Sequence, residues 1–448
     1  MEPAGSTFFW AYVLFVLLAP IYKGGNRALP LLLLELAAIA ILACVALRHR
    51  EAARGLPPSL VAAVAILLVY PLLQLVPLPA SIWAALPGHA EYAAIVSEFG
   101  TPGAQSAARP ISLLPKATEY GWLALLPPLA SLLACRALAP AQAVALLTAM
   151  VAFAGAEALL GLLQAASGGS AIFRVRETQA LGIATGTFVN QAHLATMLGM
   201  MLPVLVGMLA YFRRRRVHSV DPGGNFAARR AIAFGSGVLM LLALIFTHSR
   251  AGIAAALAGL VICPIVFVAK RGGLVVAALI ALGVALAAAI GVAPVLERFD
   301  PSTVRLSGEG RLALYAATLR AGLDFFPFGS GLATFAGVFP RYQGSVFGGL
   351  IDYAHDDYLQ LFMETGMMAI VVVALLLFAY AARMRDLWQR RAMRSFTVLQ
   401  LAAGIGLVPA MLHALFDFGL HMPGIAVWFA TLAGVLLHPG VRDKPERP

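Results

Sequence analysis

Long apolar runs alternate with short polar gaps along almost the whole chain. A helix crossing a bilayer needs roughly 20 apolar residues, and about twelve runs approach that length. They lie near 7–22, 29–47, 58–77, 118–135, 141–165, 188–212, 231–248, 251–269, 274–295, 357–381, 396–416 and 424–438. The pattern shows no heptads, no strong short-period repeat and no soluble domain, so an all-α, polytopic fold with about 12 transmembrane helices is expected. The expected organisation is an N-terminal group of helices over 1–180, a second transmembrane domain over 181–440 and a polar tail at 441–448.

Charge sets the expected orientation. If both termini face the cytoplasm, the inward gaps hold most of the 32 lysines and arginines, including Arg48, Arg50, Arg54, Arg136, the run Arg213 to Arg216, Arg383 and Arg385. That satisfies the positive-inside rule and puts three longer gaps, 78–117, 166–187 and 296–356, on the outer face. The first is rich in proline and alanine and suits a short interfacial helix. In the third, Arg311 to Phe325 contains no proline and places Arg311, Tyr315 and Thr318 on one helical face, with Leu312, Leu319 and Leu323 on another. Such a helix lies at the membrane surface as a lid over an outward-opening cavity, and Pro327, Gly329 and Gly331 end it.

Composition then excludes whole classes. Hydrophobic residues make up 61% of the 448, charged residues 12%, and mean hydropathy is +0.86, values of a multispanning membrane protein and not of a soluble enzyme. The net charge of +11 is scattered over short gaps instead of forming a basic domain, which argues against nucleic acid. Cys44, Cys135 and Cys263 sit in or beside apolar runs without ligand spacing, so no disulfide framework or zinc site is indicated, and no metal or cofactor is expected. The first apolar run lacks a charged leader and a small-residue cleavage site, and reads as a retained span. No P-loop, HExxH or GxSxG is present, and the spans hold few carboxylates, which argues against ATP-driven, zincin, nucleophile-elbow and proton-coupled chemistry.

The remaining polar residues are few enough to weigh singly. His355 precedes Asp356 and Asp357 at the outer start of the tenth run. As a neutral imidazole it suits removal of a proton from a hydroxyl; the competing reading is a loop histidine beside helix-capping aspartates. Arg250, in FTHSRAGIAAAL, is a hinge with almost no loop around it, either facing a polar cavity or snorkelling to an interface. With Arg311 it would line an outer cavity suited to a membrane-held diphosphate, since guanidinium matches phosphate oxygens. Arg320 and Arg341 are expected at lipid headgroups. In GIATGTFVNQAHLATM, Asn190 and His193 are spaced i, i+3, as sugar-binding groups or as a helix cap and its neighbour.

Four segments in order, GTFVNQAHLATMLGMMLP, THSRAG, GRLALYAATLRAGLDFFPFGSGLATFAGVFPRYQ and DYAHDDYLQLFMETG, resemble the bacterial O-antigen ligase and polymerase superfamily, which includes exopolysaccharide polymerases. The resemblance is best over about 180–370. It implies a GT-C-like, inverting, metal-independent glycosyltransferase of the bacterial inner membrane with a periplasmic active site. The implied donor is a glycan on undecaprenyl diphosphate, and the implied acceptor is a sugar hydroxyl of a lipid-linked glycan or a lipid A core. By motif, His355 becomes the catalytic histidine, Arg250 and Arg311 the diphosphate-binding pair, and Tyr315 and Asp357 supporting residues, with Asn190 and His193 as further candidates. The sequence departs from the family in Asp356 where asparagine is frequent, in Tyr353 where histidine is frequent, and in Asn190-Gln191-Ala192-His193 where Asn-x-Asn-His is usual. The GTFVNxxH and AHDDYLQ forms look more like polymerases than ligases. A flippase for the same lipid-linked glycans is the alternative of another class; it would want charge at both faces, not one.

Overall fold

The computed structural model describes residues 5–101, 103–167, 182–218, 226–267, 281, 301–344, 349–389 and 395–440, with side chains for all but 214–218, 226–230, 301–309 and 395. Its helices are α1 (Ser6–Leu18), α2 (Ala28–Arg48), α3 (Pro58–Gln74), α4 (Ala80–Ala85), α5 (Ala90–Phe99), α6 (Pro115–Leu123), α7 (Leu126–Ala137) and α8 (Pro140–Ala166). They continue as α9 (Gln191–His218), α10 (Phe226–Phe246), α11 (Arg250–Phe267), α12 (Pro301–Asp324), α13 (Asp357–Thr365), α14 (Met367–Gln389), α15 (Ser395–His413) and α16 (Pro423–Leu436). Among the described residues six helices are long and apolar enough to cross a membrane, and four shorter apolar ones accompany them. This is an all-α membrane protein, with a single two-residue ladder between Pro77–Leu78 and Arg109–Pro110 as its sheet among those residues.

Two of the expected runs come out differently. The run at 118–135 is split at Ala124–Leu125 into α6 and α7, because Pro127 and Pro128 supply no N–H and favour a new helix start. The run at 357–381 is also split: Gly366 takes φ 58°, and a Cβ there would lie 2.1 Å from the Pro327 carbonyl oxygen. Only glycine fits that turn, so α13 stands apart from the span α14. The run at 274–295 lies outside the described residues, as do most of the second outer gap and the 441–448 tail.

Helix α9 is the centre of the bundle, with 83% of its apolar window buried, whereas α14 has 17% buried and presents most of its surface outward. Helices α10, α11 and α15 pack around α9. The N-terminal helices close the other side, α7 on α16 and α8 on α10. Inside this packing, Tyr12 donates to the Ser131 carbonyl at 2.9 Å, and its hydroxyl meets Ser131 Oγ at 3.0 Å and Thr431 Oγ1 at 3.2 Å. The indole of Trp428 donates to Val16 O at 2.8 Å. Polar groups away from water are thus satisfied between helices, the usual interhelical bond of membrane bundles.

At the end carrying the basic residues, the buried Arg136 guanidinium donates to the carbonyls of Ala52, Arg54 and Leu437. Arg383 likewise donates to Leu436 O and His438 O and pairs with Asp386. These carbonyls belong to chain ends and turns that have no helical donor of their own, so each arginine closes several elements at once.

The opposite end carries a small second core built from Leu314, Ala321, Phe325, Phe335, Val338 and Phe339, joined by Tyr92 and Tyr342. The 78–117 gap holds the two short helices α4 and α5 and packs here. The His89 ring bonds both Pro87 O and Ile111 O and meets the Phe325 ring edge-on. Arg341, expected at headgroups, instead pairs with Glu91 and lies over Tyr92, since this gap folds back onto the 325–342 segment. Helix α12 presents Leu312, Leu319 and Leu323 outward and buries Thr318, the division expected of a helix lying on the surface.

Candidate active site

The candidate site forms where the starts of α9, α11 and α13, the end of α15 and one face of α12 meet. Asp356 caps α13, its Oδ1 accepting from Tyr358 N at 2.9 Å and Leu359 N at 3.0 Å. Of the two readings open for this segment, Asp356 takes the capping one. His355 does not cap. Its backbone sits at φ 53°, a left-handed conformation uncommon outside glycine, and four contacts hold the segment there. Gln360 Oε1 accepts from Ala354 N at 3.1 Å, Tyr315 donates to His355 O at 3.0 Å, Asp356 caps, and Asp357 N donates to Ala414 O at 2.8 Å.

This backbone turn points the His355 ring at Asp417. Nδ1 lies 3.5 Å from Asp417 Oδ1, and the other carboxylate oxygen lies 3.6 Å from His193 Nε2. The side chains of His193 and Asp417 are 4% and 3% exposed; that of His355 is 35% exposed. His193 Nε2, His355 Nδ1 and Asp417 Oδ2 are buried atoms without a hydrogen bond. Phe418 packs edge-on against both imidazoles, at 4.9 Å from His193 and 4.8 Å from His355, and stacks at 4.1 Å on Tyr353.

Asp357 has a different duty. Its carboxylate bonds His421 Nδ1 and accepts from Leu420 N at 2.9 Å, tying the turn that follows α15 to the start of α13. Asn190 and His193 part company as well: Asn190 caps α9, its Oδ1 accepting from Ala192 N at 2.9 Å, while His193 turns inward to Asp417.

Arg250 opens α11 after a connection of three residues, as the hinge reading requires. Ser249 Oγ accepts from Gly252 N at 3.2 Å, and Gly252 brings α11 against Ala195 of α9 and His413 of α15, a Cβ there lying 3.2 Å from His413 Cε1. His413 in turn shares a 2.7 Å hydrogen bond with Thr196 Oγ1. Arg311 lies exposed on α12, one turn before Tyr315, and its charge acts on both Tyr315 and His413. The two arginines therefore stand at elements flanking the histidine cluster.

Electrostatics differ sharply between the carboxyls. Burial pushes Asp356 up, against two backbone N–H groups that pull it down. For Asp417 burial also pushes upward, but His193, His355 and His413 outweigh it and hold the carboxyl down at about 2. Burial disfavours the charged form of His421, yet Asp357, and Glu364 behind it, raise its proton affinity above the ordinary histidine value. Burial also raises the Tyr315 phenol, so it stays a donor to His355 O.

The turn before α9 is built by buried polar side chains of α8. Gln164 Oε1 accepts from Thr185 N and Gly186 N, and Glu157 accepts from Thr187 N at 2.8 Å. The turn between α1 and α2 docks beside it: Lys23 N donates to Thr187 O at 2.8 Å, Thr187 Oγ1 to Pro20 O at 3.0 Å, and Asn26 Nδ2 to the Tyr353 hydroxyl at 3.2 Å.

Arg250, Arg311, Tyr315, His355 and Asp357 all fall within one stretch that matches a known family. Residues 235–374 match a family model described as O-antigen ligase. The match supports the O-antigen ligase and polymerase superfamily, whose members transfer glycans at a membrane. Asn190, His193, Asp417 and His421 lie outside the matched O-antigen ligase residues. A comparison with curated proteins gives no match. Among the described residues no group of three or more His, Cys, Asp or Glu is arranged to hold a metal ion.

Sequence reading missed Asp417, Phe418, His413 and His421. All lie in HALFDFGLH, which closes the 396–416 run and opens the gap before the last one. Two histidines framing an aspartate in so apolar a region were the available signal.

Proposed function

We propose that the protein transfers a glycan from undecaprenyl diphosphate to a sugar hydroxyl at the periplasmic face of the bacterial inner membrane, with both termini cytoplasmic. The observation that carries the reading is His355, held on a left-handed backbone with Nδ1 turned to a buried carboxylate and its ring otherwise part exposed. With the proton on Nδ1, the Nε2 lone pair is left for the acceptor hydroxyl. The acceptor O–H proton passes to Nε2 as its oxygen bonds the anomeric carbon; the bond from that carbon to the phosphate oxygen breaks, and undecaprenyl diphosphate leaves with the electron pair. Attack opposite the leaving group inverts the anomeric centre. Arg250 and Arg311 bind the diphosphate and stabilise the charge that grows on it, an electrostatic contribution that requires no metal. Tyr315 and Asp357 position His355, through its carbonyl and through the α13 start.

Chain extension, with a lipid-linked glycan as acceptor, is favoured over ligation to lipid A core by the GTFVNxxH and AHDDYLQ forms. The test is purified protein in bilayers given an undecaprenyl-diphosphate glycan, with each acceptor in turn. His355→Ala and Arg311→Ala are expected to abolish transfer while expression stays normal. Full activity in His355→Ala overturns the assignment, and movement of the glycan across liposomes with no change in its length would establish a flippase instead. In a deletion strain, loss of long polymer on the lipid carrier identifies a polymerase; uncapped core with normal long polymer identifies a ligase.

A further inference from the structure

The cluster around Asp417 asks for more than a base and its orienting carboxylate. Asp417 is buried, its Oδ2 accepts no hydrogen bond among the described residues, and imidazoles face both oxygens. A carboxylate removed from water without donors is strongly disfavoured as an anion. A donor at Oδ2 adds to the groups that keep Asp417 an anion, and so to its hold on the imidazolium that forms when His355 accepts a proton. The group in place is His193 Nε2, itself buried and unpartnered, 3.6 Å away on the first turn of α9.

Resting on the proposed role of His355, we infer that His193 is a positioning residue that donates from Nε2 to Asp417 Oδ2, keeping Asp417 an anion beneath His355 so that the chain His193, Asp417, His355 and acceptor hydroxyl works as one unit. The donation needs an N–H at Nε2 and holds for neutral imidazole and imidazolium alike. Phe418 walls both rings from one side, and the Phe188 ring meets His193 at 6.2 Å, so water does not replace the donor from there. The other titratable and charged groups acting on the cluster are Asp357 and His355 upon His193, His413 upon Asp417, and Arg311 upon His413. None of them lies between His193 Nε2 and Oδ2.

The test separates this role from packing. His193→Leu removes the donor, while in His193→Gln the side-chain amide N–H stands near the position of Nε2. With the donor gone, Asp417 loses one of the groups that hold it as an anion, and its hold on the His355 ring weakens. Two readouts follow this on the full chain in bilayers. Diethylpyrocarbonate acylates an imidazole nitrogen that is not engaged, so the rate of His355 labelling at one fixed pH, read by peptide mass spectrometry, rises about threefold or more in His193→Leu. In Asp417→Asn it rises equally, in the double variant no further, and in His193→Gln it returns to the wild-type value. In transfer from undecaprenyl-diphosphate glycan, His193→Leu lowers kcat at least about tenfold with KM little changed, and His193→Gln restores it. An unmoved labelling rate in folded His193→Leu overturns the inference, as does additivity in the double variant. Labelling does not depend on turnover, so an active His355→Ala would sink the base assignment while leaving the His193 result separately readable.

Discussion

Two buried polar clusters in this molecule are built from similar numbers of side chains and behave oppositely. Tyr12, Ser131 and Thr431, deep between α1, α7 and α16, satisfy one another at 2.7–3.2 Å. His193, Asp417 and His355, at the α13 end of the bundle, face one another at 3.5–3.6 Å and leave three polar atoms without hydrogen bonds. The first arrangement joins helices. The second sets a buried carboxylate between two imidazoles, one of them part exposed. The opposite end repeats the first pattern with charge, Arg136 and Arg383 being spent on carbonyls.

The contrast breaks most visibly at the histidine. His355→Ala is expected to lower transfer by about 10²- to 10⁴-fold, the range of a lost general base, with the thermal midpoint in detergent nearly unchanged. A midpoint collapsing along with activity would put His355 among the structural groups. Next in size is Asp357→Asn, which breaks the pairing with His421 that ties the turn after α15 to α13, at a cost of about 3 kcal/mol read from unfolding in detergent. This pair also has a pH signature. Because the proton affinity of His421 is raised in the folded state, its contribution is complete below the ordinary histidine value and is lost as pH rises through the folded one. Wild-type stability is therefore expected to decline as pH rises above the ordinary histidine value, and the decline to flatten in Asp357→Asn; parallel curves would reject the linkage.

Smaller effects sharpen the comparison. Gly366→Ala places a Cβ 2.1 Å from Pro327 O on a backbone at φ 58°, and is expected to cost about 1 to 3 kcal/mol and displace α13 with the His355 turn. Transfer should fall with it, and a stable, fully active variant would show that the break before α14 has no bearing on the site. Tyr12→Phe is the mildest, about 0.6 kcal/mol with full transfer activity. A loss of activity there would erase the distinction between the two clusters.

Much of this was legible in the sequence. The apolar runs mark the helices because a bilayer imposes a length, and the face of α12 was readable because a helix has a period. Arg250 was found because a charge between two apolar runs is conspicuous. The breaks at Leu125 and Gly366 were not read, since an apolar run does not reveal a backbone turn set by another segment's carbonyl. Asp417 was missed for a related reason: its partners His193 and His355 lie on other elements, and only packing brings them together. Asn190 and His193, spaced as a pair, were separated because one faces its own helix end and the other the bundle.

The docking of the turn between α1 and α2 has a practical meaning for the matched O-antigen ligase residues 235–374. Asn26 holds the Tyr353 hydroxyl, and Lys23 and Thr187 lock the turn that starts α9, while Asp417 comes from beyond the match. What sequence comparison recognises is a slice through the molecule and not a detachable part. Excised, it would expose the faces that α8, α9 and α15 now cover and would carry His355 without the carboxylate it faces. Grafting that slice between relatives is expected to succeed only when the turn between α1 and α2 and the HALFDFGLH segment travel with it.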